Sequence, residues 1–371
     1  MDRVGLVFIL EAGLPAPHRN RIRERLRALG AEVQVIDGGE RTYLEVAGQD
    51  LAIRTLNPTA WPGVERVLPL TPGHPHAARR ADSDRTRAVP ITVGSEGSEP
   101  VSIGDGSLAW IAGPCAIEDE ARTLTLAREL RSLGVTLFRG GAYKPRTSPY
   151  AFQGLEEEGL RILGRVREET GLPIVTEVMD AAHLPQVIET ADLLQVGSRN
   201  MQNFSLLKKL GSVDKPVLLK RGYAATVEEW LLAAEYILSG GNHRVILCER
   251  GLRSPAGSGQ VVLDLGCVPD LRSRTHLPIL VDPSHGSGAA SRVTPLARAA
   301  AAVGADGLLI EVHDDPPRAL SDGQQALTLY HFRRTTEQVG AIHRALQSTR
   351  ETGSALEKEI LPGSVSAPGK D

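Results

Sequence analysis

Nine charged or metal-binding side chains follow a series of short apolar runs. Arg139 follows Val135-Thr136-Leu137-Phe138, and Glu177 follows Pro173-Ile174-Val175-Thr176. Arg199 comes after Leu193 to Ser198, Lys220 and Arg221 after Pro216 to Leu219, and Glu249 and Arg250 after Val245 to Cys248. His285 ends the run from Ile279 to Ser284, and Glu311 ends Gly307 to Ile310. Two kinds of chemistry are written in this set. Cys115, in Ala112-Gly113-Pro114-Cys115, joins His285, Glu311 and Asp322 as candidate metal ligands. One thiolate, one imidazole and two carboxylates suit a divalent ion such as Mn, Fe, Co or Zn. Magnesium prefers an all-oxygen shell. The second kind is cationic: Arg139, Lys144, Arg146, Arg199, Lys220 and Arg250 would repel one another at one mouth without an anionic ligand. Arginine matches phosphate and carboxylate in two-point contacts and lysine adds a point charge, so the implied ligand carries several negative charges.

Each residue also has an ordinary reading. A lone cysteine is more often an inert buried thiol, His285 could donate to phosphate, and Glu311 with His313 could be a surface pair. Asp322 could cap the last helix. Some of the cations could pair with Glu177, Asp282 or Glu249. Cys248 and Cys267 read as structural. His74 and His76 have metal-ligand spacing, but a solvated segment without a third ligand nearby is the better reading.

The elements that must position these residues follow from the runs. A parallel strand buried on both faces is a near-continuous apolar run, and a charge at its end is expensive unless it is used there. Helical stretches separate most of the runs, and (β/α)8 barrels carry their chemistry at strand C-termini. The predicted fold is therefore α/β: a (β/α)8 TIM barrel over residues 107–347, with helices expected at 118–133, 155–170 and 226–239. Thr226 and Glu229 are spaced as a capping box for the last of these. The stretch from Ser254 to His276 reads as irregular, in place of a clean helix. Before the barrel, residues 1–70 read as a small ferredoxin-like α+β domain. It comprises a strand over 4–10, a helix carrying Ile22, Leu26 and Leu29, a hairpin around Asp37-Gly38-Gly39, and a last strand from Val64. Residues 71–106, rich in Pro, Gly, Ser and charge, read as a linker that packs in part on the barrel, and 348–371 as a flexible C-terminal tail.

Bulk properties narrow the class. The chain has 371 residues, enough for a barrel plus a smaller unit, and its 41% hydrophobic share supports a large core. A net charge of -3 argues against nucleic-acid or polybasic membrane partners. No apolar run is long enough to span a membrane, Asp2 and Glu11 spoil a signal peptide, and three cysteines fit a reducing compartment. A cytoplasmic enzyme is expected.

Several segments resemble 3-deoxy-D-arabino-heptulosonate 7-phosphate (DAHP) synthases. These are Ile111-Ala112-Gly113-Pro114-Cys115, Arg139-Gly140-Gly141-Ala142-Tyr143-Lys144-Pro145-Arg146-Thr147-Ser148 and Val196-Gly197-Ser198-Arg199-Asn200. Leu218-Leu219-Lys220-Arg221-Gly222, Leu247-Cys248-Glu249-Arg250-Gly251, Asp282-Pro283-Ser284-His285-Gly286, Glu311-Val312-His313 and Ser321-Asp322-Gly323 complete the set. The likeness is to the subgroup with an N-terminal ferredoxin-like regulatory domain. It implies condensation of phosphoenolpyruvate with erythrose 4-phosphate, the entry step of the shikimate pathway. It also implies that Cys115, His285, Glu311 and Asp322 hold the metal. Arg139, Lys144, Arg199, Lys220 and Arg250 would then cradle phosphoenolpyruvate. Pro145, Arg146, Thr147, Ser148 and Asp282 would receive erythrose 4-phosphate, and Lys144, Glu177 and His285 would be catalytic. An aromatic amino-acid effector and a homodimer or homotetramer are further implications. The chain departs from the subgroup after the sixth strand, where Ser258-Gly259-Gln260-Val261-Val262 stands in place of a Thr-Arg-Asn segment. The rivals are 3-deoxy-octulosonate 8-phosphate synthase, which has Lys-Ala-Asn-Arg-Ser-Ser where this chain has Lys144 to Ser148, and a paralogue using an amino-sugar phosphate. A catalytically silent scaffold is disfavoured because no ligand or cation is missing.

Overall fold

The computed structural model describes residues 4–37, 42–48, 61–69, 73–79, 86–92, 100–144, 146, 148–253 and 261–360. The chain divides into two compact units, Met1–Ala78 and Arg79–Asp371.

The first unit is a four-stranded antiparallel sheet with one described helix. Its strands are β1 (Val4–Leu10), β2 (Glu32–Asp37), β3 (Thr42–Gly48) and β4 (Val64–Pro69), in the order β2-β3-β1-β4. Helix α1 (Ala16–Ala28) connects β1 to β2 and buries Ile22 and Leu26. Alternating residues of β1 and β3, namely Phe8, Leu10, Leu44 and Val46, meet Leu26 and Trp61 in the core, as strand period two dictates. The turn at residues 38–41 and the β3–β4 connection at residues 49–60 lie outside the described residues. The ferredoxin-like architecture is a proposal that this strand order and α1 support.

The second unit is a closed barrel of eight parallel strands. In order they are β7 (Ala109–Gly113), β8 (Leu137–Arg139), β9 (Ile174–Glu177), β10 (Leu193–Val196), β11 (Val217–Lys220), β12 (Val245–Glu249), β15 (Ile279–Val281) and β16 (Gly307–Glu311). β16 pairs with β7 from Gly307↔Ala109 to Glu311↔Gly113, which closes the ring and sets the last strand end beside the first. Helices α2 (Glu120–Ser132), α3 (Glu156–Thr170) and α6 (Val227–Leu238) lie within a residue or two of expectation, and α4 (Leu184–Thr190), α5 (Phe204–Leu210) and α9 (Ala290–Ala302) also connect barrel elements. The capping box is present, with the Thr226 hydroxyl accepting from the Glu229 amide and the Glu229 carboxylate accepting from the Thr226 amide.

Three expectations are corrected. The 71–106 segment packs in part on the barrel as expected, but through regular structure that was not, a hairpin of β5 (Val89–Ile91) with β6 (Val101–Ile103). Val89, Ile91 and Ile103 join Ala109, Ile111, Leu137 and Val175 in the barrel core. A backbone bond from Arg87 to His276, just before β15, places the hairpin where the barrel strands begin. His74 in the same segment is buried. After β12 the chain forms a two-stranded ribbon, β13 (Leu252–Arg253) with β14 (Val261–Val262), and then helix α7 (Cys267–Arg274). Cys267, Val268 and Leu271 bury one face of α7, so this stretch is not irregular throughout. Finally, α10 runs Leu329–Ile360, past residue 348 where a tail was expected. Good helix formers such as Ala355, Leu356, Glu357 and Lys358 continue it despite Gly353.

Candidate active site

The metal-ligand candidates converge. One donor atom each from Cys115, His285, Glu311 and Asp322 lies within 4.8 Å of all the others. Donors at about 2.0–2.3 Å from a shared ion stand at most about 4.6 Å apart, so the cluster fits such an ion with little adjustment. The four arrive from different elements: Cys115 two residues past β7, Glu311 at the end of β16, and His285 in the short helix α8 (Pro283–Ser287) after β15. Asp322 sits in the return loop from β16, in the left-handed region at φ 52°.

The cluster is cross-linked. Cys115 Sγ donates to Asp322 Oδ2 at 2.9 Å, and His285 Nε2 lies 3.2 Å from Glu311 Oε1. Arg139 donates to Glu311 Oε1 at 2.8 Å and Gln325 to Glu311 Oε2 at 2.6 Å. Lys144 Nζ reaches both the Cys115 sulfur, 2.9 Å, and the Cys115 carbonyl, 3.0 Å. Burial, reinforced by Glu311, pushes the Cys115 thiol up to about 12 even though Lys144 opposes it. Ligation would therefore have to displace that proton. Burial would also raise Glu311, but His285 and Arg139 outweigh it and hold the carboxyl below its ordinary range.

Asp282 forms the ion pair with a cation that the sequence also allowed. It is fully buried, receives Lys220 Nζ at 2.6 Å, and lies 2.7 Å from His285 Nδ1. Burial is again outweighed, here by His285 and Lys220, and Asp282 is held well below the carboxylate range. It orients the histidine, leaving Nε2 for the cluster, and does not line the cavity toward an acceptor's hydroxyls. Its strand-end position could not by itself distinguish the two roles.

A cavity of about 450 Å³ opens beside the cluster. Arg139, Lys144, Arg146, Arg199, Lys220 and Arg250 all line it, together with Glu177, His285 and Asp322. Arg139 and Lys220 have protein counterions, but buried Arg139 Nε and Arg250 Nη1 have no hydrogen-bond partner among the described residues. A buried N–H without a partner is costly, so these donors point to an anionic ligand. Glu177 accepts weakly from Gln195 Nε2 at 3.4 Å. A Cβ on Gly197 would stand 2.1 Å from Glu177 Oε1, so this glycine makes room for the carboxylate. Gly113 has a similar role, since a Cβ there would meet the Arg139 carbonyl oxygen at 2.0 Å.

The acceptor-loop residues divide. Arg146 lines the cavity and donates to the carbonyls of Phe152 and Leu320. Ser148 is exposed and is not part of the lining, and Pro145 and Thr147 lie outside the described residues. Sequence reasoning missed Tyr223, whose ring carries Arg250 at 4.7 Å, Arg253 at 4.8 Å and Arg199 at 5.9 Å. It also missed Arg253 and Gln325. Tyr223 and Arg253 each lie three residues past a cation already singled out, and Gln325 lies three past Asp322. Glu249 and Arg221, singled out as strand-end charges, pair with each other at 3.0 Å and do not line the cavity.

The fold and site together define a (β/α)8 enzyme with a metal-capable cluster at the edge of a polyanion-binding cavity. The DAHP synthetase I family profile matches residues 88–348. Phospho-2-dehydro-3-deoxyheptonate aldolase of Thermotoga maritima is 41% identical, covering 92% of this chain and 98% of that protein. Its crystal structure superposes with a TM-score of 0.78 at 39% identity, covering 92% of this chain and 98% of that one. 2-Dehydro-3-deoxyphosphooctonate aldolase of Syntrophotalea carbinolica is 34% identical over 67% of this chain and 95% of that protein. The chain belongs to the DAHP synthetase I family.

Proposed function

We propose that this chain condenses phosphoenolpyruvate with erythrose 4-phosphate, giving 3-deoxy-D-arabino-heptulosonate 7-phosphate and inorganic phosphate. This is the first step of the shikimate pathway. What supports it most is that one cavity is lined both by His285 and Asp322 of the four-donor cluster and by Arg139 and Arg250, whose buried Nε and Nη1 have no hydrogen-bond partner among the described residues.

In this reading Arg139, Lys144, Arg199, Lys220 and Arg250 hold the phosphate and carboxylate of the enol substrate. Arg146, with the neighbouring Pro145, Thr147 and Ser148, receives the acceptor's phosphate. A divalent ion held by Cys115, His285, Glu311 and Asp322 would supply Lewis acidity toward the aldehyde oxygen. The enol C3 forms its bond to the aldehyde carbon, water adds at C2, and the phosphate leaves with C–O cleavage. Lys144 lines the cavity and is the proton donor in this reading; burial works against its charge, but the adjacent Cys115 sulfur outweighs burial and keeps it an ammonium. Glu177, which contributes to that effect and also lines the cavity, would accept a proton from the attacking water. Fixed cations orient two polyanions that would repel each other in solution.

The metal's identity follows from the donor set only as far as Mn, Fe, Co or Zn. We place the enzyme in the cytoplasm, consistent with free buried cysteines and with no described helix long and apolar enough to cross a membrane. An aromatic amino-acid effector at the first unit and a homodimeric or homotetrameric state belong to the same proposal.

The octulosonate alternative is favoured only by the barrel likeness. The octulosonate relative covers 67% of this chain, whereas the heptulosonate relative covers 92%. The test mixes the protein with phosphoenolpyruvate and erythrose 4-phosphate, arabinose 5-phosphate or an amino-sugar phosphate, with Mn²⁺ or chelator, and follows enol absorbance and phosphate release. Chelator-sensitive turnover with erythrose 4-phosphate supports the reading, and turnover only with another acceptor overturns it.

A further inference from the structure

Asp322 differs from the other three donors in its support: it sits well out on the return loop after β16, whereas Glu311 ends β16 and Cys115 and His285 follow shortly after β7 and β15. That loop, residues 314–326, is closed at its base. His313 N donates to the Leu327 carbonyl and Leu327 N to the Glu311 carbonyl. Near its tip, the backbone of one residue is held through both of its peptides. Leu320 N donates to Glu118 Oε1 at 2.7 Å, and the Leu320 carbonyl accepts from Arg146 at 3.1 Å. The Leu320 side chain is 53% exposed, so the hold is on the backbone.

Glu118 is itself fixed. Its side chain is 9% exposed, and its second oxygen, Oε2, lies 3.4 Å from Nε2 of buried His313. The Asp315 amide donates to His313 Nδ1 at 3.0 Å, which leaves the imidazole proton on Nε2, facing Glu118. Glu118 thus spans the start of the barrel and its last loop, two residues upstream of Asp322. The backbone there needs support, because Asp322 holds a left-handed conformation unfavourable to a non-glycine residue.

We infer that Glu118 is a positioning residue for the metal site, holding the Leu320 peptide so that Asp322 reaches the Cys115–His285–Glu311 cluster. The inference rests on the metal reading above but concerns a residue that touches neither metal nor substrate. Arg146 holds the next peptide, through the Leu320 carbonyl, from the acceptor loop. Once Arg146 turns to an acceptor phosphate, Glu118 carries the hold alone.

The test uses the full chain without substrates. Metal affinity is measured by Mn²⁺ and Co²⁺ competition against a chelator for wild type, Glu118→Gln and Glu118→Ala, along with the sulfur-to-cobalt absorption band and apo-protein thermal unfolding. Loss of a group that orients a ligand weakens metal affinity by about 10–100-fold, and that loss is expected for Glu118→Ala. The cobalt–sulfur band should survive, because Cys115 still ligates. Glu118→Gln, which keeps an oxygen for the Leu320 amide, should stay within a few-fold of wild type. Wild-type affinity in Glu118→Ala overturns the inference. So does an apo-protein destabilisation equal in both variants, which would mark Glu118 as general scaffolding. A wild-type protein that binds no metal overturns the metal reading itself, a result distinct from either.

Discussion

The two walls of the cavity are built in opposite ways. Around Glu311 the polar groups satisfy one another except for Arg139 Nε: both carboxylate oxygens accept, from Arg139 and Gln325, and the backbone amide donates to Ser284. Around Tyr223 three guanidinium groups crowd one ring, and Arg250 keeps a buried Nη1 with no hydrogen-bond partner among the described residues. The first wall is preorganised by its own bonds, so its geometry exists before any ligand arrives. The second holds like charges together at a cost to the fold, and an anion would relieve that cost on binding. The teaching is that one barrel rim can carry both a stable scaffold and a destabilised binding surface, because different strands supply them.

The largest expected effect tests the first wall. Cys115→Ser should lower metal affinity and metal-dependent turnover by at least about 100-fold, read by metal content after dialysis and by the enol-absorbance assay. Full turnover at wild-type metal content would remove the thiol from the ligand set. Next, Arg139→Gln and Arg250→Gln should both reduce kcat/KM for phosphoenolpyruvate, by about 10²–10³-fold, yet part company in stability. Arg139 is the buried partner of Glu311, and leaving such a charge alone costs about 3–5 kcal/mol. Arg250→Gln has no ion pair to break among the described residues, and its urea midpoint should hold or rise. Equal stability losses would erase the contrast between the walls.

A third, smaller effect probes the boundary. Gly197→Ala places a methyl where Glu177 Oε1 now sits, so the carboxylate must move. Misplacement of a catalytic group by about 1 Å can cost up to about 100-fold. The expected result is a kcat reduction of about tenfold to 100-fold with a smaller change in KM for phosphoenolpyruvate. An unchanged kcat would take Glu177 out of the proton-handling role.

How much of this was legible in advance follows the same division. The strand-end cations and Cys115, His285 and Glu311 could be read because charge at the end of an apolar run is anomalous. For Asp282 the family resemblance implies a substrate contact and the run of residues allows an ion pair, and its strand-end position does not decide between them. Only the fold reveals that Lys220 and His285 fill its side chain. Tyr223, Arg253, Gln325 and Glu118 lie on connections, where no periodicity marks which way a side chain points. The β5–β6 hairpin escaped notice because two three-residue strands lie in a polar, Pro- and Gly-rich stretch. Their burial in the core depends on the barrel already being there. The capping box at Thr226 was legible for the opposite reason: its bonds are made within four residues of sequence.

That local origin makes Thr226 the smallest and cleanest contrast. Thr226 Oγ1 accepts from the Glu229 amide at 3.1 Å, at the start of a helix on the barrel's outside. Removing an N-cap hydroxyl costs about 1 kcal/mol, and Thr226→Ala should lower the urea midpoint by the corresponding amount. Thr226 belongs to neither wall, so kcat, both KM values and metal affinity should stay at wild-type levels. Should turnover fall with stability here, the active-site rim would share its free energy with the outer helices. The separation of a rigid wall from a charged one could then no longer be assigned to the rim alone.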